Sequence, residues 1–177
     1  MIAKNESEWL GPCLESVRDI ADEILIGDTG STDDTKAIAL RFGARAIDVP
    51  WEDDFAAARN AVLHAATSDW LLHMDADEML DANGTRAIRD LVDADGHGAD
   101  AIEVMLANYC DDVRAWLWAP VPPDDPNARG KAGYIGVPLL RLFRNRRGFE
   151  YREPVHENIT ESVIDSGGAM PGGVEYN

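Results

Sequence analysis

The chain has 177 residues and a formal net charge of −17, from 16 basic and 33 acidic residues. Its length suits one domain, and its 45% hydrophobic and 28% charged residues are typical of a globular protein rather than a disordered one. A surface this negative repels phosphate backbones and anionic lipid, which argues against a nucleic-acid-binding or peripheral membrane protein. An anionic ligand would need a positive partner at its site, for which a divalent cation is the obvious candidate.

Cysteine content and hydropathy restrict the class further. Cys13 and Cys110 are the only cysteines, so we expect neither a disulfide framework nor a cysteine zinc site. The apolar runs are shorter than a membrane span, and Lys4, Glu6 and Glu8 interrupt the stretch where a signal peptide would be apolar. These patterns predict a soluble protein of a reducing compartment, without an integral membrane segment and with no indication of its oligomeric state.

Short apolar runs alternate with helical patterns in the first half of the chain. A helix is predicted where apolar residues recur at helical spacing, and Asp54 is a predicted N-cap. In chain order the predicted elements are a strand end at 1–3, a helix at 9–17, a strand at 23–27, a helix at 37–42, a strand at 45–49, a helix after 54, a strand at 70–74 and a helix at 88–92. This order predicts an α/β fold with a single Rossmann-like, mainly parallel sheet and helices on both faces.

The second half has a different composition. Strands are predicted at 101–107 and 139–143, and between them residues 119–133 are rich in Pro, Gly and Asp and suggest a mobile loop. A basic cluster follows the last strand, formed by Arg141, Arg144, Arg146 and Arg147. The final residues show no periodicity, and we expect a poorly ordered tail over 161–177.

Acidic residues follow two predicted strands, at the edge where ligands bind to open parallel sheets. Asp28 follows one strand, and Asp75 and Asp77 follow another. Residues two apart on an extended strand end point the same way, so both carboxylates can face one ion, and oxygen ligands suit Mg²⁺ or Mn²⁺. A solvated turn after a strand would explain the same run equally well.

Other polar residues also have a structural and a functional interpretation. Asp28 either caps a turn or accepts a hydrogen bond from a base or ribose. Arg59 either lies on a half-buried helix face or reaches a phosphate. His156 and Glu157 could supply a metal ligand and a proton acceptor, although such pairs are more often structural.

Three runs together resemble a known family. They are IAKNESEWLGPCLESVRDIADEILIGDTGSTDDT, PWEDDFAAARNAVLHAATSDWLLHMDADE and RLFRNRRGFEYREPVHENI. In this order they resemble family 2 glycosyltransferases of the GT-A fold, and in particular bacterial lipopolysaccharide-core glucosyltransferases and enzymes associated with tetratricopeptide repeats. The resemblance covers about residues 1–160, where we expect the catalytic domain.

The resemblance implies an activity and a place for it. The activity is inverting transfer of a sugar from a nucleoside diphosphate donor, typically UDP-linked, to a saccharide, a lipid-linked acceptor or another hydroxyl. The place is the cytoplasm or the inner face of the cell membrane, in the synthesis of cell-envelope polysaccharide. The residues that the resemblance assigns to nucleotide-sugar binding are Lys4, Asn5, Glu6, Asp28, Arg59 and Asp75.

A metal site and a catalytic base are implied as well. Asp77 would bind Mn²⁺ or Mg²⁺, with Asp75 directed toward ribose or toward the metal and its water, and with His156 as a third ligand. The general base that deprotonates the acceptor would be Glu157 or Glu153.

The chain also departs from the family pattern. Its first strand is short at the N-terminal side, the later C-terminal segment is missing, and Gly27 replaces a larger hydrophobic residue before Asp28. Two alternatives therefore stay open. One is a nucleotide-sugar-binding module without turnover. The other is an aspartic protease, because ILIGDTGSTDDT contains a hydrophobic run followed by Asp-Thr-Gly, although that fold is all-β and here the motif opens a helix.

Overall fold

The computed structural model describes residues 1–145 and 147–170, and these form seven strands, five α-helices and one short 3-10 helix at Asp95–Gly98. The strands are β1 (Ile2–Ala3), β2 (Leu25–Asp28), β3 (Arg45–Asp48), β4 (Trp70–Leu72), β5 (Ala101–Cys110), β6 (Trp118–Pro120) and β7 (Gly133–Arg144). The helices are α1 (Leu10–Val17), α2 (Thr35–Arg41), α3 (Phe55–Ala65), α4 (Ala82–Asp93) and α5 (Thr160–Asp165). Among these helices, none has the length and apolar character that a membrane crossing requires.

The first sheet is parallel and has the strand order β1-β2-β3. Leu10 and Leu14 of α1 pack with Ile26 of β2 and Ile38 of α2 in one core cluster. A second cluster joins α3 to β2. These two layers of helix on sheet confirm the predicted α/β class, and the side chain of Asp54 caps α3 as predicted, by accepting a hydrogen bond from the backbone N of Ala57 at 2.8 Å.

The second sheet is antiparallel and has the order β4-β7-β5, with β6 also paired to β7. The prediction of a single, mainly parallel sheet is corrected here, because β4 pairs with β7 in the register Trp70↔Arg144 to Leu72↔Leu142 instead of joining the parallel strands. The physical reason is that β4 takes its backbone hydrogen bonds from β7, a strand about 70 residues away that no local sequence pattern links to it.

A cavity of about 1060 Å³ lies between the two sheets and is lined by residues of both β2 and β4. At one end of it, the backbone N of Met1 donates a hydrogen bond to the carbonyl oxygen of Leu25 at 3.1 Å.

The tail predicted from residue 161 needs correction. Helix α5 (Thr160–Asp165) crosses the predicted boundary, and Val163 is fully buried in the cluster that contains Phe143 and Phe149. The carbonyl oxygen of Ala169 accepts hydrogen bonds from the backbone N atoms of Asp100 and Ala101. Val163 is the one buried apolar side chain of this short helix, so the sequence shows no apolar periodicity there, and residues 171–177 lie outside the described residues.

Candidate functional site

A crevice lies at the carboxyl ends of β1, β2 and β4, where the sequence predicts a ligand site. It encloses about 500 Å³. Its lining residues are Ile2, Ala3, Lys4, Glu6, Thr29, Trp51, Phe55, Arg59, Asp75, Ala76 and Asp77. The two acidic motifs therefore lie together, and we call this volume the crevice below.

Asp28, which precedes the crevice residue Thr29, is 2% exposed. Its Oδ2 accepts hydrogen bonds from the backbone N atoms of Gly30 at 3.1 Å and Ser31 at 3.0 Å, and lies 3.3 Å from Nζ of Lys36. Burial raises the pKa of Asp28, but these hydrogen bonds outweigh burial and lower it, so the carboxylate is ionised. Its Oδ1 is buried and has no hydrogen-bond partner among the described residues. A buried acceptor without a donor is costly, so a ligand N–H at this point would be stabilising.

The loop after β1 is fastened to the turn that follows Asp28. Asn5 has a positive φ of 58°, and its Oδ1 accepts a hydrogen bond from the backbone N of Thr32 at 2.8 Å. The backbone N of Glu6 donates to Oγ1 of Thr35 at 2.8 Å. Burial, followed by repulsion from Asp77, raises the pKa of Glu6. The side chain of Asn5 thus holds the loop, while Lys4 and Glu6 line the crevice.

Asp75 is held by two arginines. Its Oδ1 accepts from Nη2 of Arg59 at 2.9 Å, and its Oδ2 accepts from Nη2 of Arg141 at 3.1 Å. The same Nη2 of Arg141 donates to Oε1 of Glu78 at 2.6 Å, and the backbone N of Asp75 donates to Oε2 of Glu78 at 2.9 Å. We call Arg59 and Arg141 the arginine clamp, because together they engage both oxygens of one carboxylate.

Each nitrogen of the Arg59 guanidinium contacts a protein group. Besides Asp75, its Nε donates to Oε1 of Glu157 at 2.6 Å, and its Nη1 contacts Nε2 of His73. The side chain is 10% exposed. Arg59 lines the crevice, and the hydrogen bonds of its guanidinium go to protein groups.

His73 lies between the two arginines as a neutral ring. Burial, followed by the charges of Arg59 and Arg141, lowers its pKa to about 3, although contact with Asp75 opposes the shift. Nε2 accepts from Arg59, which leaves Nδ1–H for the hydroxyl of Tyr151 at 2.8 Å. Burial raises the pKa of Asp75, yet the contact with His73 and the two guanidinium charges outweigh it, so Asp75 stays ionised.

The predicted metal ligands are not gathered into one group. Among residues 1–145 and 147–170, no three His, Cys, Asp or Glu side chains are placed to hold a metal ion. The clamp takes both oxygens of Asp75, and His156 is exposed with a positive φ of 59°. Asp77 is exposed and lines the crevice, and the described residues include no side-chain partner for it.

The two candidate bases differ in their surroundings. Glu157 is 14% exposed and is paired with Arg59. Glu153 is exposed, has a positive φ of 70°, and no hydrogen bond or ion pair joins its side chain to another described residue. The next residue, Pro154, accepts a hydrogen bond from the backbone N of Phe55 at 3.0 Å, which fastens this segment to the crevice end of α3.

The sequence did not single out His73 or Tyr151 and placed Arg141 only in a basic cluster. The structure divides that cluster, since Arg141 reaches Asp75 whereas Arg144 and Arg147 bind Asp95 and Asp100, outside the crevice. A signal was present in each case. His73 is the one polar residue of the run WLLHM, and Arg141 is the one charged residue of LLRLF.

The sequence matches a family model for glycosyl transferase family 2 over residues 1–165. A TPR repeat-containing protein of Synechococcus elongatus is 35% identical over 164 residues, which are 93% of this chain and 35% of that protein. An uncharacterized glycosyltransferase of Rickettsia conorii is 39% identical over 80 residues, 45% of this chain and 28% of that protein. Glycosyltransferase SunS of Bacillus phage SPbeta is 38% identical over 82 residues, 45% of this chain and 19% of that protein. The chain spans about a third or less of the length of these relatives.

Solved structures give partial matches. Glucosyl-3-phosphoglycerate synthase from Mycobacterium tuberculosis, in complex with Mn²⁺ and UDP-glucose, is 25% identical, with a TM-score of 0.48 over 58% of this chain and 40% of that chain. TarS 1–349 of S. aureus is 20% identical, with a TM-score of 0.49 over 68% of this chain and 36% of that chain.

Proposed function

Because the chain belongs to glycosyl transferase family 2, we propose that its crevice binds a nucleoside diphosphate sugar and that the domain transfers the sugar to an acceptor hydroxyl. The observation that carries the donor assignment is the buried Oδ1 of Asp28, which has no donor among the described residues. The ring N–H of uracil would supply that donor, so we take UDP as the nucleotide. The parallel α/β fold around Asp28 disfavours the aspartic protease alternative, whose fold is all-β.

A divalent cation fits the crevice by the chemistry of its lining. The carboxylates of Glu6, Asp75 and Asp77 outnumber the cationic side chains of Lys4 and Arg59, so a diphosphate would add negative charge to an acidic site. Asp77 offers an exposed carboxylate, and Mg²⁺ and Mn²⁺ both accept oxygen ligands. When bound, the cation would offset the charge of the diphosphate and stabilise it as a leaving group. Lys4 would add a positive charge from the loop after β1.

The proposed reaction inverts the anomeric centre. The acceptor hydroxyl attacks the anomeric carbon from the face opposite the diphosphate; its C–O bond forms as the bond to the diphosphate oxygen breaks, and a carboxylate takes the hydroxyl proton. We assign this proton to Glu153, because the carboxylate of Glu157 is engaged by Arg59, whereas no described residue binds the carboxylate of Glu153. The acceptor is a saccharide or lipid-linked hydroxyl, and the cytoplasm or the inner face of the cell membrane is the proposed place of reaction.

A thermal-shift panel tests the donor. The wild-type chain is melted with UDP, GDP, CDP and their sugars, with and without Mn²⁺ or Mg²⁺, and release of the diphosphate is then followed by chromatography. We expect selective stabilisation by UDP and UDP-sugars that depends on the metal. Stabilisation by binding without release or transfer would favour the non-catalytic module.

Asp28→Asn sharpens this test, because it replaces the carboxylate by a group of the same shape that cannot present two acceptors. Asp48→Asn is a matched control: Asp48 ends β3 and also binds Lys36, at 2.5 Å, but it is exposed and outside the crevice. We expect Asp28→Asn to lose UDP stabilisation and Asp48→Asn to keep it. Equal responses of both variants would contradict a role for Asp28 in base recognition.

A further inference from the structure

We propose that Arg141 is a positioning residue for the Asp-Ala-Asp motif. Together with Arg59 it holds both oxygens of Asp75 away from the cation and leaves Asp77 as the carboxylate that the cation meets. This inference rests on the proposed function, since it assigns different tasks to the two acids of a donor site.

The backbone fixes where Arg141 stands. Beyond the β4–β7 ladder, the backbone N of His73 donates to the carbonyl oxygen of Arg141 at 2.7 Å. Arg141 therefore lies beside His73, and His73 precedes Asp75 by two residues in the sequence. Its side chain is 11% exposed, and its Nη1 contacts the ring of His73 at 3.1 Å. A side chain enclosed in this way has little freedom to follow a ligand.

The hydrogen bonds fix what Arg141 does. One guanidinium nitrogen bridges Oδ2 of Asp75 and Oε1 of Glu78, while Arg59 takes Oδ1 of Asp75. Turning Asp75 onto a cation would break charge-assisted hydrogen bonds on both of its oxygens, in a site where the side chain is only 35% exposed. Asp77 has no such restraint among the described residues and is free to turn. The clamp thus separates a fixed acid from a movable one.

Two single variants and one double variant test this role. Arg141→Met keeps the stem and removes the guanidinium, and Arg141→Lys keeps the charge but cannot bridge two carboxylates in the same fork. In the double variant, Arg141→Met is combined with Glu78→Gln. The second substitution removes the charge of Glu78, which would otherwise lose its arginine partner, and so guards against failure to fold. Arg147→Met is the matched control, because Arg147 binds the buried Asp100 at 2.6 Å outside the crevice.

Three quantities are measured for each variant: kcat/KM for the nucleotide sugar, Mn²⁺ affinity by electron paramagnetic resonance, and the melting temperature. We expect both single variants to lose about tenfold or more in kcat/KM, since misplacing a contact group costs rate. Mn²⁺ affinity of Arg141→Met should be equal to or tighter than that of wild type, because a positive charge is gone and Asp75 is released. A merely structural role would weaken catalysis and Mn²⁺ binding together.

Several results would overturn the inference. They are full recovery of kcat/KM in Arg141→Lys, the same loss of kcat/KM in Arg147→Met, unchanged kcat/KM in Arg141→Met, or weaker Mn²⁺ binding in that variant. A wild-type chain that turns over no nucleotide sugar counts against the proposed function instead. The role of the arginine clamp is then tested by Mn²⁺ affinity alone. Weaker Mn²⁺ binding by Arg141→Met than by wild type, or no Mn²⁺ binding by wild type, would refute it.

Discussion

The aspartates of the two sheets are held in place by different means. Asp28, in the parallel sheet, is fixed by backbone N–H groups two and three residues further along the chain. Asp75, after the first strand of the antiparallel sheet, is fixed by guanidinium groups 16 and 66 residues away. The local turn leaves one carboxylate oxygen of Asp28 without a donor, whereas the arginine clamp supplies a donor to each oxygen of Asp75. The crevice therefore combines a locally encoded acceptor with a carboxylate whose position depends on the whole fold.

The largest effect is expected at Asp77, the acid that neither arrangement holds. Asp77→Ala should abolish metal-dependent turnover of the donor, since the cation loses its free carboxylate. The melting temperature without metal should stay within about 2 °C, because an exposed side chain contributes little to stability. Diphosphate release with and without Mn²⁺ is the measurement. Unchanged turnover would remove Asp77 from the mechanism.

The carboxylates of Glu153 and Glu157 extend the comparison to catalysis. Glu153→Gln should lower kcat by about 10²-fold or more with unchanged stability, because a general base is lost while no contact of its side chain is broken. The control is Glu157→Gln under the same conditions, with single-turnover rates for both. If Glu157→Gln alone loses turnover and keeps its stability, the proton acceptor is Glu157.

The free energy of unfolding should show the opposite order, with a larger change in Glu157→Gln than in Glu153→Gln. Glu157→Gln removes one of the two carboxylate charges that pair with the buried Arg59, and we expect the free energy of unfolding to fall by about 2 kcal/mol, because Asp75 remains as a partner. Glu15→Gln is the control, since the Glu15–Arg18 pair is exposed on both sides and should change stability little. Urea unfolding of the three proteins measures the difference. Equal values for both variants would show that Glu157 does not support the clamp.

Local patterns in the sequence predicted local structure well. The α/β class, the Asp54 cap and the acidic edge all depend on residues a few positions apart, and each is confirmed. The antiparallel pairing of β4 with β7 depends on strands about 70 residues apart, and no periodicity reports it. The arginine clamp was missed for the same reason, because a lone charged residue in an apolar run does not name its partner. Helix α5 escaped prediction because two buried residues in one turn set no period.

Gly27 has a consequence that reaches from the strand to the clamp. A Cβ added there would come within 2.5 Å of a methyl group of Val62 on α3, so hydrogen at this position sets the spacing between strand and helix. Arg59 stands three residues before Val62 on the same helix face. The missing methyl group at position 27 therefore sets the distance between β2 and α3, and with it the position of the Arg59 guanidinium. A larger residue at position 27 would change the contact between Arg59 and Asp75 without altering any charged atom.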